Sequence, residues 1–356
     1  MRIGIPAEIK VREGRVALIP AAAAELVRAG HEVFVETGAG VASGYPDEAY
    51  RSIGAGILPD AASLYDRAQL IVKVKDPLPE EVARLRKDHV LFSFLHLAAL
   101  PALASSLQAS GATAVAFETV EEGGRLPLLA PMSDIAGRLS IHIGTTLLHR
   151  YHGGRGILLG GMPSAERGHV VVLGAGHAGG NAAAVAAALG ARVTVLSPRR
   201  EEHERMMRLG PNVTGLPPYA AEIEQAVLDA DLLIGAVLIP GANAPKLVAT
   251  SLVKRMKPGS VIIDISVDQG GCIETTRPTD YENPTYIEHG VVHFGVTNMP
   301  GAVPRTASQA LSTVLTPYVL RLAADDGLRD PVMASGVNVA GGRLVHPAVV
   351  KALAGK

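Results

Sequence analysis

The sequence contains no tryptophan, only five phenylalanines and eight tyrosines, and one cysteine among its 356 residues. A single cysteine, Cys272, excludes an internal disulfide framework, so we expect a reducing, cytoplasmic environment. The formal net charge is −1, and no excess of either sign creates a field that favours nucleic acid or an anionic membrane. We therefore expect neither as a partner.

Long apolar runs are also absent. No stretch reaches the ~18 uninterrupted apolar residues of a transmembrane helix, and the first ten residues, MRIGIPAEIK, lack the apolar core of a secretory signal. One cysteine and twelve scattered histidines do not build the usual structural zinc site. We expect no metal and no membrane segment.

The residues that are abundant favour an α/β protein. Hydrophobic residues make up 48% of the chain, and Val, Ile, Leu and Ala dominate them, as is typical of buried parallel strands covered by helices. Apolar strand patterns near residues 2–5, 32–36, 70–74 and 90–94 alternate with helical patterns. This alternation predicts a doubly wound sheet in the first part of the chain.

Residues 169–200 carry the most specific pattern, HVVVLGAGHAGGNAAAVAAALGARVTVLSPRR. An apolar run enters a glycine turn, an alanine-rich helix follows, and a second apolar run begins at Val193, as a dinucleotide-binding βαβ unit requires. Alone, this glycine pattern is weak and also fits an ordinary turn between a strand and a helix, but the flanking elements favour the nucleotide. The predicted cofactor-binding residues here are Gly174, Ala175, Gly176, His177, Ala178 and Gly179.

The three glycines have separate predicted tasks. Gly174 permits the tight turn, Gly176 lets the backbone approach a pyrophosphate, and Gly179 lets the helix pack closely on the strand. The unpaired N–H groups and the positive dipole end at the helix N-terminus would face the phosphates.

The chain is long enough for two domains. A helical pattern over residues 129–151, capped by Ser133, connects them, and a long helix over 306–323 leads the chain back to the first. We predict two doubly wound domains with a cleft between them. Residues 1–130 and 304–356 form a discontinuous domain, and 131–303 form a Rossmann-type dinucleotide-binding domain.

Several residues at predicted strand ends are suited to chemistry on a carboxylate. Arg15 could form a bidentate pair with a carboxylate, although a solvated loop arginine is the more common outcome. Lys75 follows an apolar strand at the end where open α/β sheets bind ligands. Lys73 lies on the same face, and both lysines could merely be solvated.

Two further residues could move protons. His96 follows another strand in apolar surroundings and could act as a general acid or base, or else be a hydrogen-bonded core histidine. Asp268 follows the fourth strand of the predicted nucleotide domain, in a position near a nicotinamide.

Taken together, the segments that contain these candidate residues resemble those of a known protein family. The chain is similar to alanine dehydrogenases, relatives of the nucleotide subunit of proton-translocating transhydrogenase. The matching segments occur in the family's order, from residue 3 to about residue 320: IGIPAEIKVREGRVALIP, GHEVFVETGAG, LIVKVKDPLP, LFSFLHLAAL, LPLLAPMSDIAGRLS, GAVLIPGANAPKLV, DQGGCIETTRPT and NMPGAVPRTASQAL.

The resemblance implies reversible oxidative deamination of L-alanine to pyruvate and ammonia with a nicotinamide cofactor, and it makes the discontinuous domain the substrate domain. Arg15 and Lys75 would hold the substrate carboxylate and carbonyl oxygen, while His96 and Asp268 would manage protons. The other implied contacts are Met132 and Met299 at a small side-chain pocket, Asn298 near both substrate and nicotinamide, and Ser133, Val237 and Leu238 facing the cofactor. A homohexamer is also implied.

The chain departs from the family at the position that selects the cofactor. Family members usually carry Asp at the end of the second nucleotide-domain strand, where this chain has Ser197 followed by Pro198, Arg199 and Arg200. A carboxylate there would accept from the ribose hydroxyls and repel a 2′-phosphate, whereas these residues would bind that phosphate. We therefore expect NADP(H), with NAD(H) as the alternative.

A second departure lies at residues 291–297, VVHFGVT, where the family usually has Tyr-Cys-Val-Ala before Asn-Met-Pro. This change could alter the substrate pocket, so another small amino acid or 2-oxo acid stays open as the substrate. A non-catalytic transhydrogenase-like nucleotide-binding subunit and a lysine-pathway dehydrogenase are further alternatives. The joint presence of Arg15, Lys75, His96 and Asp268 favours an enzyme over the binding subunit.

Overall fold

The computed structural model describes residues 1–237 and 244–354. The chain divides into two compact units. Unit 1 comprises Met1–Met132 and Gly301–Lys356, and unit 2 comprises Ser133–Pro300. Each unit has its own sheet of mainly parallel strands, which confirms the predicted fold class of two doubly wound α/β domains.

The described strands, in chain order, are β1 Arg2–Ile5, β2 Glu32–Glu36, β3 Gly56–Leu58, β4 Leu70–Val72, β5 Val90–Ser93, β6 Thr113–Ala116, β7 His169–Leu173, β8 Arg192–Leu196, β9 Val213–Leu216, β10 Leu232–Gly235, β11 Val261–Asp264, β12 Thr285–Glu288, β13 Val291–Phe294, β14 Val337–Ala340 and β15 Arg343–Leu344.

The described α-helices, in chain order, are α1 Pro20–Arg28, α2 Asp47–Arg51, α3 Ala61–Arg67, α4 Pro79–Val82, α5 Pro101–Ser110, α6 Ala130–Leu147, α7 His177–Ala188, α8 Arg200–Met207, α9 Ala220–Asp229, α10 Thr250–Val253, α11 Pro304–Ala323, α12 Pro331–Ser335 and α13 Pro347–Ala354. Among the helices of residues 1–237 and 244–354, none has the length and apolarity needed to cross a bilayer.

The two sheets share one strand order. In unit 1 the parallel strands run β3-β2-β1-β4-β5-β6, and in unit 2 they run β9-β8-β7-β10-β11-β13. In both sheets the first strand lies in the middle and the next two strands add on one side of it. The chain then returns to the middle, and the remaining parallel strands add on the other side. In such sheets the loops at the carboxyl ends of the two central strands part, and ligands bind in the crevice that this leaves.

Each sheet also has an antiparallel edge that the sequence patterns did not indicate. In unit 1, β14 pairs with β6 and β15 with β14, while in unit 2, β12 pairs with β13. Two-residue turns close both hairpins, Gly341-Gly342 and His289-Gly290, and all four residues have positive φ. Positive φ at both central residues is what a tight hairpin turn requires.

The predicted start of the connecting helix is wrong. Helix α6 begins at Ala130, so Ser133 lies inside the helix and is not its N-cap. Pro131 explains the earlier start, because proline at the second helical position has its φ preset and lacks an N–H that would need a partner.

Helix α11 completes unit 1 by hydrogen bonding to a segment near the chain's start. The buried Ser308 hydroxyl accepts from the Val16 N–H at 2.9 Å. The buried Ser312 hydroxyl accepts from the Ile19 N–H and donates to the Ala17 carbonyl, both at 2.9 Å. These bonds satisfy buried backbone groups of residues 16–19, which belong to none of the strands given above, and they fix the chain directly after Arg15.

The first turn of α7 packs against backbone on two sides. A Cβ added at Gly179 would lie 1.9 Å from the Gly174 carbonyl oxygen. A Cβ added at Gly137 of α6 would lie 2.1 Å from the Ala178 carbonyl oxygen. Backbone atoms cannot move aside as a side chain can, so both glycines are needed for this approach of α6, α7 and the end of β7.

We predict that Gly179→Ala destabilises unit 2 by about 2–3 kcal/mol, because the new methyl group overlaps the Gly174 carbonyl. Urea denaturation followed by circular dichroism measures the change.

Gly180→Ala is the matched control, since a Cβ there meets its nearest atom, Met206 Cε, at 3.6 Å. The better helix propensity of alanine should stabilise that variant by about 0.5–1 kcal/mol. Equal stability of the two variants would contradict the packing argument.

Candidate functional site

The glycine turn at the carboxyl end of β7 has the geometry of a phosphate cradle. Gly174 has a φ of +99°, and a Cβ there would lie 2.5 Å from the Ala236 carbonyl oxygen. Gly176 immediately precedes α7, and a Cβ there would meet nothing within 4 Å. The turn therefore leaves open space beside Gly176 and the first N–H groups of α7, which fits a pyrophosphate.

His177 lies at the edge of this cradle, in the first turn of α7. Its Nδ1 is 3.0 Å from Oδ1 of Asp134, which also accepts from the Asn181 amide at 2.8 Å. Ala175 is buried, and its carbonyl accepts from the Arg205 guanidinium. Ser133 is half-buried on α6, one residue before Asp134. The sequence patterns gave no role to Asp134, which fixes the imidazole.

The end of β8 presents a serine and two arginines. Ser197 is fully buried, and its hydroxyl has no hydrogen-bond partner among the residues that the structure describes. Its N–H donates to the Leu216 carbonyl at 3.1 Å. The side chain of Arg199 is 71% exposed and pairs with Glu202, and that of Arg200 is 87% exposed and pairs with Glu204. Both guanidinium groups therefore have acidic partners on α8.

Asp268 lies on a loop that a buried carboxylate closes. It is exposed within the 3₁₀ turn Ile265–Gln269, directly after β11. Asp264, at the end of β11, accepts from the backbone N–H groups of Ser266 at 3.0 Å and Cys272 at 2.9 Å. Burial raises the pKa of Asp264, and these donors partly oppose that effect. Asp264 thus fixes the loop that presents Asp268, a role we did not predict.

Two further predicted cofactor contacts follow β10. The Val237 N–H donates to the Ser266 hydroxyl at 2.9 Å, which joins the end of β10 to the Asp268 loop. Leu238 lies outside the described residues.

The segment after β13 contains the remaining predicted residues of unit 2. Asn298 has a φ of +62°, and the buried Met299 accepts at its carbonyl from the Tyr281 hydroxyl at 3.0 Å. The unusual VVHFGVT segment includes His293, which is buried, stacks on Tyr286 and lies 2.8 Å from the Thr275 hydroxyl. This histidine is accounted for by contacts inside unit 2.

In unit 1, Arg15 is a buried, oriented guanidinium and not a solvated loop arginine. Its side chain is 2% exposed. Nε and Nη2 donate to the two carboxylate oxygens of Glu13 at 2.7 and 2.5 Å. Nη1 lies 3.2 Å from Sδ of Met132, so the structure brings two predicted substrate residues together. This fork holds the planar group in one orientation, as recognition of a carboxylate requires.

Lys73 and Lys75 follow β4 and differ in environment. Lys75 is half-buried. Lys73 is fully buried, so the solvated alternative is wrong for it, and its Nζ lies 2.8 Å from Glu81 and 3.3 Å from Glu8. Glu8 also accepts from the N–H groups of Val74 at 2.5 Å and Lys75 at 3.3 Å. This buried ion cluster, Glu8, Lys73 and Glu81, fixes the backbone that presents Lys75.

The ion cluster has perturbed protonation equilibria. Burial raises the pKa of Glu8, and the Lys73 charge only partly opposes it. Burial alone would lower the pKa of Lys73, but the charges of Glu8 and Glu81 outweigh it and raise that pKa. Lys73 therefore stays protonated and neutralises buried negative charge.

His96 is not a core histidine, contrary to the alternative left open by the sequence. Its side chain is 44% exposed and stacks on Phe94, with ring centroids 5.7 Å apart. Its backbone is left-handed, with a φ of +49°. The half-exposed imidazole at the carboxyl end of β5 is accessible to a substrate.

In both units the predicted residues follow the carboxyl ends of parallel strands. Within unit 1, Lys75 follows β4 and His96 follows β5; within unit 2, the glycine turn follows β7 and Asp268 follows β11. Within residues 1–237 and 244–354, no group of three or more His, Cys, Asp or Glu side chains is placed to hold a metal ion.

Comparison with known proteins gives matches over the whole chain. Residues 4–136 match the family model for the N-terminal domain of alanine dehydrogenase/PNT, and residues 140–347 match that for its C-terminal domain. Alanine dehydrogenase of Bacillus subtilis is 48% identical over 359 residues, covering 99% of this chain and 95% of that protein. The chain belongs to the alanine dehydrogenase/PNT family.

Further relatives agree with this family assignment. Alanine dehydrogenase of Mycobacterium tuberculosis is 47% identical over 360 residues, covering 98% of this chain and 96% of that protein. A solved L-alanine dehydrogenase superposes with a TM-score of 0.95 at 50% identity and covers 100% of this chain and 99% of that one. A transhydrogenase from Sinorhizobium meliloti gives a TM-score of 0.84 at 28% identity, covering 98% and 100%. The family resemblance predicted from the sequence is confirmed.

We predict that Lys73→Met destabilises this family member by about 3–5 kcal/mol at neutral pH, because two buried carboxylates lose their cation. Without Lys73, those carboxyl groups would have higher pKa values in the folded protein than in the unfolded chain. Stability lost at about pH 8 should therefore be partly regained at about pH 5.5, as urea denaturation at both pH values will show.

Lys87→Met, the same change at an exposed lysine, is the control and should alter stability by less than about 0.5 kcal/mol. A loss for Lys73→Met that is the same at both pH values would show that the charge of Lys73 is not what matters.

Proposed function

We propose that the protein is an alanine dehydrogenase that interconverts L-alanine and pyruvate plus ammonia. The observation that carries this proposal is the buried Arg15 fork, oriented by Glu13 and touching Met132, in a chain 48% identical to an alanine dehydrogenase. A fixed guanidinium beside a thioether is suited to a short α-amino or 2-oxo acid, which has a carboxylate next to a small apolar group.

The substrate-binding roles follow from these positions. Two bonds from Nε and Nη2 to Glu13 hold Arg15 in one orientation, and its guanidinium would bind the substrate carboxylate. Lys75 would bind the carbonyl oxygen of pyruvate, with its backbone fixed by Glu8. Met132, which lies beside Arg15, would limit the side chain of the substrate to about the size of a methyl group. On the family resemblance, Met299 would also contact the substrate, and Asn298 would contact substrate and nicotinamide.

His96 and Asp268 would carry the protons. Deamination needs water to add to the imine and the resulting carbinolamine to lose ammonia, and each step requires a group that takes up and returns a proton. When bound, the nicotinamide supplies the hydride acceptor. His96 is half-exposed at the end of β5, and Asp268 is exposed on a loop fixed by Asp264.

The cofactor would be held by the cradle after β7, with Gly176 beside the pyrophosphate and Ser133, His177 and Val237 around it. We propose NADP(H) as the preferred form. No carboxylate occupies position 197 to repel a 2′-phosphate, and Arg199 and Arg200, two and three residues further along the chain, are exposed. Glu202 and Glu204 compete with the phosphate for these arginines and therefore moderate the preference.

A homohexameric assembly and a cytoplasmic location complete the proposal. The hexamer rests on the family resemblance, and the location on the single, buried cysteine, Cys272.

We predict that the purified protein reductively aminates pyruvate and that His96→Gln and Asp268→Asn each lower kcat by about 10²–10⁴-fold, because proton transfer is lost. The assay follows nicotinamide absorbance with pyruvate, larger 2-oxo acids and ammonia.

His152→Gln and Asp325→Asn, the same changes at exposed positions, should keep kcat within about twofold of wild type. A preference for a larger 2-oxo acid would refute alanine as the substrate. A folded protein without any turnover would favour the transhydrogenase-like binding subunit.

We predict that kcat/KM is at least about tenfold higher for NADPH than for NADH, which corresponds to ~1.4 kcal/mol of phosphate recognition. Glu202→Gln should widen this ratio by releasing Arg199, and Ser197→Asp combined with Arg199→Asn should reverse it. Steady-state kinetics with both cofactors measure the ratio.

Arg208→Asn removes another exposed arginine just beyond α8 and should leave the ratio unchanged. A wild-type preference for NADH would refute the proposed role of Arg199 and Arg200.

A further inference from the structure

We propose that Glu118 is a positioning residue for His96, fixing both the backbone and the imidazole of that histidine. This inference rests on the proposed role of His96 as a proton carrier. Neither the sequence patterns nor the family resemblance above gave a role to Glu118, which lies in the 3₁₀ turn Phe117–Thr119 after β6.

The first contribution is to the backbone. The Glu118 carboxylate accepts from the His96 N–H at 2.6 Å and from the Leu95 N–H at 3.2 Å. These two N–H groups follow β5, where the ladder to β6 has ended at Ser93 and Ala116. The φ of +49° at His96 is unfavourable for a residue with a side chain and persists only when its surroundings hold it. The carboxylate supplies that restraint.

The second contribution is to the ring. Oε1 of Glu118 lies 3.9 Å from Nδ1 of His96, beyond a hydrogen bond but close enough for a direct electrostatic effect. A carboxylate on this side favours a proton on Nδ1 and leaves Nε2 as the atom that exchanges a proton with the substrate. It also stabilises the imidazolium that forms when Nε2 accepts a proton.

Aromatic packing fixes the plane of the same ring. His96 stacks on Phe94 with an interplanar angle of 4°. Phe94 in turn meets Phe117 edge to face at 5.0 Å, and Phe117 meets Phe92 in the same way at 4.5 Å. The neighbouring residues Phe117 and Glu118 therefore restrain His96 from two directions, one through ring contacts and one through charge.

The turn that carries Glu118 is itself anchored by the C-terminal part of unit 1. The Thr119 hydroxyl lies 3.3 Å from the Gly336 carbonyl and accepts from the Asn338 amide at 3.0 Å. The His346 imidazole also lies in the electrostatic field of Glu118, and burial lowers its pKa more than the Glu118 charge raises it. His346 is therefore neutral near pH 7 and adds no positive charge beside Glu118.

The test compares Glu118→Gln with Glu118→Ala in the full-length protein. The glutamine keeps one acceptor oxygen, which can still accept from the His96 N–H, but it removes the charge, whereas alanine removes both the acceptor and the charge. We expect kcat to fall about tenfold in Glu118→Gln and about 10²-fold or more in Glu118→Ala, with KM for pyruvate changed much less.

Glu121→Gln, at an exposed carboxylate three residues away, is the control and should leave kcat and KM as in wild type. The inference is overturned if both Glu118 variants keep kcat within about twofold of wild type, or if Glu121→Gln has the same effect. If Glu118→Ala does not fold, as judged by circular dichroism, the kcat and KM of Glu118→Gln decide alone.

Failure of this inference is distinguishable from failure of the proposed function. If His96→Gln abolishes turnover while the Glu118 variants behave as wild type, only the positioning role is wrong. If His96→Gln itself retains turnover, His96 is not the proton carrier and the proposed function fails first.

Discussion

Buried charge at the carboxyl edge of the first sheet must be neutralised, and much of unit 1 is organised around that requirement. Lys73 is buried between Glu8 and Glu81, and Arg15 is buried against Glu13. Removing one partner of such a group leaves an isolated charge in a medium of low dielectric constant, which costs several kcal/mol. The pairing therefore restricts where the backbone after β1 and β4 can lie, and that backbone presents Arg15 and Lys75, the side chains that we propose to bind the substrate.

Unit 2 depends on a different constraint, the close approach of one backbone segment to another. Gly174, Gly179 and Gly137 each occupy a place where a methyl group would overlap a carbonyl oxygen. Charged contacts lie around this glycine-dependent frame. They are those of Asp134 with His177 and of Arg199 and Arg200 with their acidic partners. The frame fits any nicotinamide dinucleotide, and we propose that the residues at the end of β8 distinguish NADP(H) from NAD(H).

Sequence patterns located the strand ends well, but they did not identify the distant residues that hold the segments after those strands. The glycine turn, Lys75, His96 and Asp268 all follow the carboxyl ends of parallel strands, as the patterns predicted, because apolar runs identify such strands. Ser133 failed as a helix cap because Pro131 started the helix earlier. Glu13 was visible two residues before Arg15, but Glu8, Glu118 and Asp264 act on segments that folding brings to them, and no local pattern marks such residues.

The sequence by itself determined the α/β class and the glycine turn after β7, since these depend on local periodicity and glycine geometry, and it supplied the side chains that we propose to be reactive. Only the tertiary structure decided how deeply these side chains are buried and which charged groups they pair with. It buried Arg15 and Lys73 and left His96 half-exposed, and it paired Arg199 and Arg200 with glutamates of α8. Burial and charge pairing depend on residues distant in the chain, and they decide whether an arginine is an oriented anchor or a solvated surface group.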